Sequence, residues 1–281
     1  MLEILLESLK ITLFVFTMMT IMDLINISTR GKFNLFISER PLLQYIGAAF
    51  LGATPGCIGA FACVSLYTHG IISFGAITGC MIATSGDEAF IMLAKFPTKA
   101  LVIFASLFLL GIIVGYIVDK ICVWLNFRPN RVCICHVHDF IAEPKITVRH
   151  FLHEHIVNDI LKRHIWQLFI WSFLALVFVK YFITQYNLRE FLVNHKMLMV
   201  LGASILGLIP SSGPHLVFVY MYVDGLIGLP VLLASSIVQD GHGMLPMFSF
   251  DWVDAMRIKL VNFVLGITVG YIGILLSQAL G

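Results

Sequence analysis

Displaced by 155 residues, the sequence lies on itself without a gap, 47–117 on 202–272, with about three positions in ten identical. The matches are not confined to Leu and Ile. Gly52 meets Gly207, Pro55 meets Pro210, Tyr67 meets Tyr222, Gly70 meets Gly225 and Gly86 meets Gly241. Gly111-Ile-Ile-Val-Gly115-Tyr116 meets Gly266-Ile-Thr-Val-Gly270-Tyr271. A shared apolar composition explains neither the unbroken register nor the paired glycines. Whatever this chain folds into, it must build the same unit twice.

Composition says what kind of unit. Hydrophobic residues make up 59% of the 281 and charged residues only 12%, with a mean hydropathy of +0.94. Soluble domains carry about 25% charged residues, so the chain reads as a polytopic membrane protein and not as a nucleic-acid binder. Apolar runs near the 20 residues a span requires fall at roughly 4–27, 42–69, 71–94, 99–126, 165–186, 197–223, 225–248 and 256–280. The first lacks a basic flank and a small-residue cleavage site, so it reads as a helix that stays rather than a signal peptide. Cys57, Cys63, Cys80 and Cys122 lie in apolar runs and read as small buried hydrophobes, with no disulfide framework. The domains expected are a transmembrane repeat over 1–126, a cytoplasmic Cys/His-rich loop with an amphipathic helix over 127–164, and a second transmembrane repeat over 165–281.

Four spans carry helix breakers near their middle, two per repeat. They are Ala53-Thr54-Pro55-Gly56 and Thr84-Ser85-Gly86-Asp87, then Ile209-Pro210-Ser211-Ser212-Gly213-Pro214 and Gln239-Asp240-Gly241-His242-Gly243. Proline removes a backbone donor, and freed backbone groups in hydrocarbon must find protein or a wet cavity. Internal repeats with interrupted helices are the pattern of secondary transporters, whose site lies near midplane between the repeats. The fold class expected is therefore all-α, with two homologous repeats containing broken or re-entrant helices. If the run 42–69 turns back at Pro55, each repeat crosses three times and the repeats are inverted. One side then collects Arg30, Lys32, Arg40, the 120–163 segment, Arg257 and Lys259, and the other only Lys10, Lys95, Lys99, Arg189 and Lys196. Cytoplasmic loops are richer in Lys and Arg, which favours inversion with the central loop cytoplasmic, in a multi-pass protein of the cell (inner) membrane.

The breaks hold the polar groups. Ser85, Asp87, Glu88 and Cys57 belong to the first repeat, and Asp240, His242 and His215 to the second. Asp87 and His242 are equivalent positions, as are Ser85 and Asp240. Ionisable groups within a membrane are functional by default. Carboxylate, imidazole and hydroxyl together suit a divalent cation such as Mn²⁺, with Zn²⁺ or another ion as the alternative. Capping of half-helices would account for Ser85, but not for Glu88 or His242. The expectation is one ion site shared by Asp87, Glu88, Asp240 and His242, where His242 could change protonation near neutral pH. No permanently bound cofactor is implied.

A second group of metal ligands lies in the loop, which holds six of the ten histidines. Cys133, Cys135, His136, His138 and Asp139 fall within seven residues. His150, His153 and Glu154 share a helical face by their spacing. Thiolate with imidazole favours Zn²⁺ or Cu⁺, so the loop could collect or sense ions. Apolar Val148, Leu152, Ile156 and Ile160 mark an amphipathic helix against the bilayer. The Gly111/Gly115 and Gly266/Gly270 pairs allow close helix approach, between the repeats or between two protomers of a homodimer.

These features together resemble the ten-span heavy-metal exporters, whose members are described as manganese transporters or arsenic efflux proteins. The resemblance rests on Thr54-Pro55-Gly56-Cys57 with Thr84-Ser85-Gly86-Asp87-Glu88, and Pro210-Ser211-Ser212-Gly213-Pro214-His215 with Gln239-Asp240-Gly241-His242-Gly243, together with the Cys/His loop. It implies export of a metal or metalloid by a transporter rather than an enzyme; carboxylate-rich breaks favour Mn²⁺, while a metalloid permease would lean on thiols. Ile209-Pro210-Ser211-Ser212-Gly213-Pro214 and Thr54-Pro55-Gly56 also resemble the re-entrant motifs of undecaprenyl-pyrophosphate phosphatases. That family has a Glu shortly before the Pro-x-Ser-Ser run and an Arg just after Pro-Gly, where this chain has Leu206-Gly207-Leu208-Ile209 and Cys57-Ile58-Gly59. No phosphate-binding Gly-x-x-x-x-Gly-Lys-Ser/Thr loop is present, so ATP does not drive transport within this chain.

Overall fold

A computed structural model describes residues 41–68, 70–126, 166–177 and 194–280, together with eight helical positions between 5 and 17. The described residues form helices and the turns between them, with no strand. In the first repeat these are α1 (Pro41–Ala53), α2 (Ile58–Thr68), α3 (Phe74–Ala83), α4 (Glu88–Lys95) and α5 (Pro97–Trp124). Helix α6 (Trp166–Val177) follows. The second repeat holds α7 (Lys196–Gly207), α8 (Leu216–Val223), α9 (Leu229–Val238), α10 (Met244–Phe250) and α11 (Trp252–Leu280), with a 3₁₀ turn at Gly241–Gly243 before α10. Moved by 155 residues, the bounds of α3 fall on those of α9, and the other four helices match within three residues. The repeat is thus one of structure as well as sequence.

All four predicted breaks interrupt helices. Pro55 and Gly56 separate α1 from α2, with Gly56 at φ +95°. This break is a hairpin. The Cys63 thiol lies 3.7 Å from the Ala48 carbonyl, 15 residues back, which a straight helix would hold more than 20 Å away (about 1.5 Å of rise per residue). Gly59 makes the fold-back possible, because any side chain there would collide with the Leu51 carbonyl. Its equivalent is Pro214, and α7 and α8 touch far less.

The stretches Phe74–Lys95, taken across its break, Pro97–Trp124 and Trp252–Ala279 are long and apolar enough to cross a membrane. They differ in surroundings. The first is almost entirely enclosed by protein, while α5 and α11 turn Leu101, Leu109, Ile113, Val264, Ile272 and Leu275 outward. An apolar outer surface of that extent belongs against lipid. The interrupted stretch α3–α4 and helix α9 are the most enclosed by protein.

The two Gly-xxx-Gly pairs pack helices within each repeat rather than one repeat on the other. Gly111 and Gly115 of α5 lie against the Gly79 and Gly75 carbonyls of α3. Gly266 and Gly270 of α11 lie against Ala234 and Val238 of α9 and Val200 of α7. On α3 they are received by Gly75 and Gly79, and on α9 by Ala234 and the branched Val238 side chain. The repeats join crosswise instead: α2 packs on α10, and α8 packs on α4. Tyr67 of α2 reinforces the join by donating to the Asp254 carboxylate of α11 at 2.6 Å.

Candidate metal site

Where the central breaks meet, equivalent positions of the two repeats face each other. The Gly86 and Gly241 backbones approach so closely that a Cβ on Gly241 would lie 3.4 Å from the Gly86 Cα. Both residues are left-handed, with φ +53° and +56°, a conformation that favours glycine. Gln239 donates to the carbonyl of its equivalent, Thr84, at 3.4 Å. Asp87 meets its equivalent His242, with Oδ2 and Nδ1 3.5 Å apart. An approximate two-fold axis therefore runs through this point, and the crosswise packing of α2 on α10 and α8 on α4 is what such an axis produces.

The first break of each repeat contributes a residue beside the axis. Cys57 lies with its thiol 3.7 Å from Asp87 Oδ1 and 3.9 Å from His242 Nδ1. Its equivalent, Ser212, accepts from the Asp87 backbone N–H at 3.4 Å and stands close to both glycines. Among the described residues, the donor atoms of Cys57, Asp87 and His242 converge, all within 4.8 Å of one another. Cys57 and Asp87 are buried, and His242 keeps 19% of its side-chain surface exposed. One sulfur, one nitrogen and one oxygen thus share a pocket with a hydroxyl alongside.

The other expected site residues are distributed differently. Asp240 turns away from the axis to α11, where it pairs with Lys259 and accepts from Asn262 Nδ2 at 2.6 Å. Lys259 is itself buried, so it cannot count among the charges of a cytoplasmic loop, and that part of the Lys/Arg imbalance is removed. The sequence reading mistook it because it lies near the polar end of an apolar helix, beside Arg257. Glu88 is buried, with Oε1 3.5 Å from the Ser236 hydroxyl. His215 is buried with Nδ1 3.2 Å from the Ser235 hydroxyl. Ser85 is buried but caps nothing; the start of α3 is capped by Ser73, which accepts from the Ala76 N–H. Cys133, Cys135, His136, His138, Asp139, His150, His153 and Glu154 lie outside the described residues.

Lys259 and Asn262 are the contributors that sequence reasoning missed, while Ser212, one of the polar groups at its break, was not among the expected ligands. The repeat register could have found Ser212, because it is the equivalent of Cys57. Nothing in the sequence ties Lys259 to Asp240.

A family model described as "Putative, 10TM heavy-metal exporter" matches residues 7–182 and 165–276, so two matches cover most of the chain. Neither a curated protein nor a solved structure shows detectable similarity.

Proposed function

Because the chain belongs to the ten-transmembrane heavy-metal exporter family, and with it to the multi-pass membrane proteins, we propose that it exports a divalent metal ion through the Cys57–Asp87–His242 site. The observation that carries this reading is the convergence of those three donors on the axis between the repeats. An ion held there touches both repeats, so a rocking of one against the other can change the side from which it is reached. The α1–α2 hairpin supports three crossings per repeat, hence inverted repeats with residues 127–164 in the cytoplasm of an inner-membrane protein.

The donor set bears on which ion. Carboxylates alone would favour Mn²⁺. Asp240, however, is already balanced by Lys259, and the converging set contains one carboxylate, one imidazole and one thiol. That mixture suits Zn²⁺ and its late first-row neighbours better than Mn²⁺, and a single thiol is a poor trap for arsenite. We therefore place Zn²⁺ and Co²⁺ ahead of Mn²⁺. Asp87 and, once a metal displaces its proton, the Cys57 thiol would supply two negative charges, matching one divalent ion.

The test is flux in proteoliposomes of purified full-length protein, with a metal-sensitive dye inside and no ATP. Zn²⁺, Co²⁺, Mn²⁺ and arsenite are offered in turn. Wild type should move at least one divalent ion, and Cys57→Ser, Asp87→Asn and His242→Gln should each slow it by tenfold or more. Undiminished flux in Asp87→Asn would place the pathway elsewhere.

A further inference from the structure

Lys259 of α11 ends in a cage of oxygen atoms. Its Nζ donates to the Gly207 carbonyl at 2.9 Å and to the Val238 carbonyl at 3.4 Å, and it pairs with Asp240 Oδ2 at 2.5 Å. Gly207 and Val238 are the last residues of α7 and α9. Each helix end presents carbonyls that lack an intrahelical partner and carries the negative end of its dipole. Asp240 is fully buried, and Asn262 holds its other oxygen at 2.6 Å. Two helix C-termini and a carboxylate converging on one point form the surroundings that transporters use for a small monovalent cation. In the first repeat, the equivalents of Lys259, Asp240 and Asn262 are Phe104, Ser85 and Leu107, so that half has neither the cation nor the need for one.

We propose that the Lys259 ammonium is a tethered cation filling a monovalent-cation site formed by Asp240 and the carbonyl ends of α7 and α9. A cation fixed to α11 cannot leave, so the second broken helix stays neutralised without a Na⁺ ion. Deleting the side chain beyond Cβ opens the site to a free ion of the same class, a short primary ammonium or an alkali cation.

The experiment follows thermal unfolding of the purified full-length protein in detergent, with no transport step in the readout. Lys259→Ala is titrated with ethylammonium chloride and with sodium chloride, and with choline chloride at equal ionic strength as the bulky control. The expected result is a saturable upward shift of a few degrees with ethylammonium or Na⁺, absent with choline, in wild type and in Lys259→Ala/Asp240→Asn. A shift of equal size with choline or in the double variant, or no shift at all, overturns the proposal. Lys259→Ser opens the same space and is read by the same criteria where Lys259→Ala does not accumulate. A protein that moves no metal would leave these outcomes unchanged, so failure of the exporter reading is separately visible.

Discussion

Replacing His242 by Asp puts a second carboxylate opposite Asp87, on the axis where equivalent residues meet. Asp87 Oδ2 and His242 Nδ1 are 3.5 Å apart. Two like charges at that separation repel by about 5 kcal/mol at an effective dielectric constant of about 20. Aspartate is shorter than histidine, so a separation of about 5 Å and a repulsion of about 3 kcal/mol are the better figures. The partial exposure at position 242 lowers this to about 2 kcal/mol, which corresponds to a drop in Tm of roughly 3–4 °C for a chain of this size. A divalent ion between the carboxylates removes the repulsion and supplies a bond to each. Thermal unfolding of His242→Asp in detergent should therefore show a large loss in chelator and recovery on adding metal. Mn²⁺ should rescue better relative to Zn²⁺ than it does in wild type, because a nitrogen donor has become oxygen. Wild-type stability in chelator, or indifference to Mn²⁺, would show that positions 87 and 242 do not share an ion.

Other outcomes follow from separate parts of the molecule. Lys259→Met should cost about 3–5 kcal/mol by leaving Asp240 buried without its cation, while Lys259→Met/Asp240→Asn should regain most of that; a double-mutant cycle measured by unfolding in mixed micelles checks the coupling. Gly111→Val should destabilise by about 1–3 kcal/mol, since its side chain would enter the Gly79 carbonyl, and lowered Tm in detergent reads the effect. Replacing Cys133, Cys135, His136 and His138 together should weaken ion capture at low concentration yet leave flux at high concentration, read in the same proteoliposomes. A cysteine placed at Asn130 should escape impermeant thiol reagents outside intact cells, whereas one placed at Asn187 should react.

The helix boundaries were legible because they rest on local chemistry. Proline and glycine interrupt a helix wherever they sit, and the 155-residue register supplied each break twice. Asp87 and His242 could be paired in advance for the same reason, since equivalent positions meet at an axis. What the sequence did not show was where a side chain turns once the helices pack. Asp240 sits two residues from His242, yet it points to α11, because Lys259 there offers a full charge and Asn262 a hydrogen bond. The glycine stripes announced close contact without a partner, and the partners turned out to be Gly75 and Gly79 of α3 and Ala234 and Val238 of α9. Cys57 read equally well as a buried hydrophobe or a ligand, and only the hairpin at Pro55 brought it beside Asp87.

The axis at Gly86 and Gly241 also separates two kinds of constraint. In an assembly of two separate identical chains, residues on a two-fold axis must be the same, and a site there can offer only doubled donors. Joining both copies in one polypeptide lifts that restriction. At the point of closest approach the copies still agree, because a left-handed backbone favours glycine in each. One residue further on, where only side-chain chemistry matters, they have parted into a carboxylate and an imidazole, and the flanking pair into a thiol and a hydroxyl. Fusion of the copies thus gives the pocket an inherent polarity, with unlike ligands on its two sides.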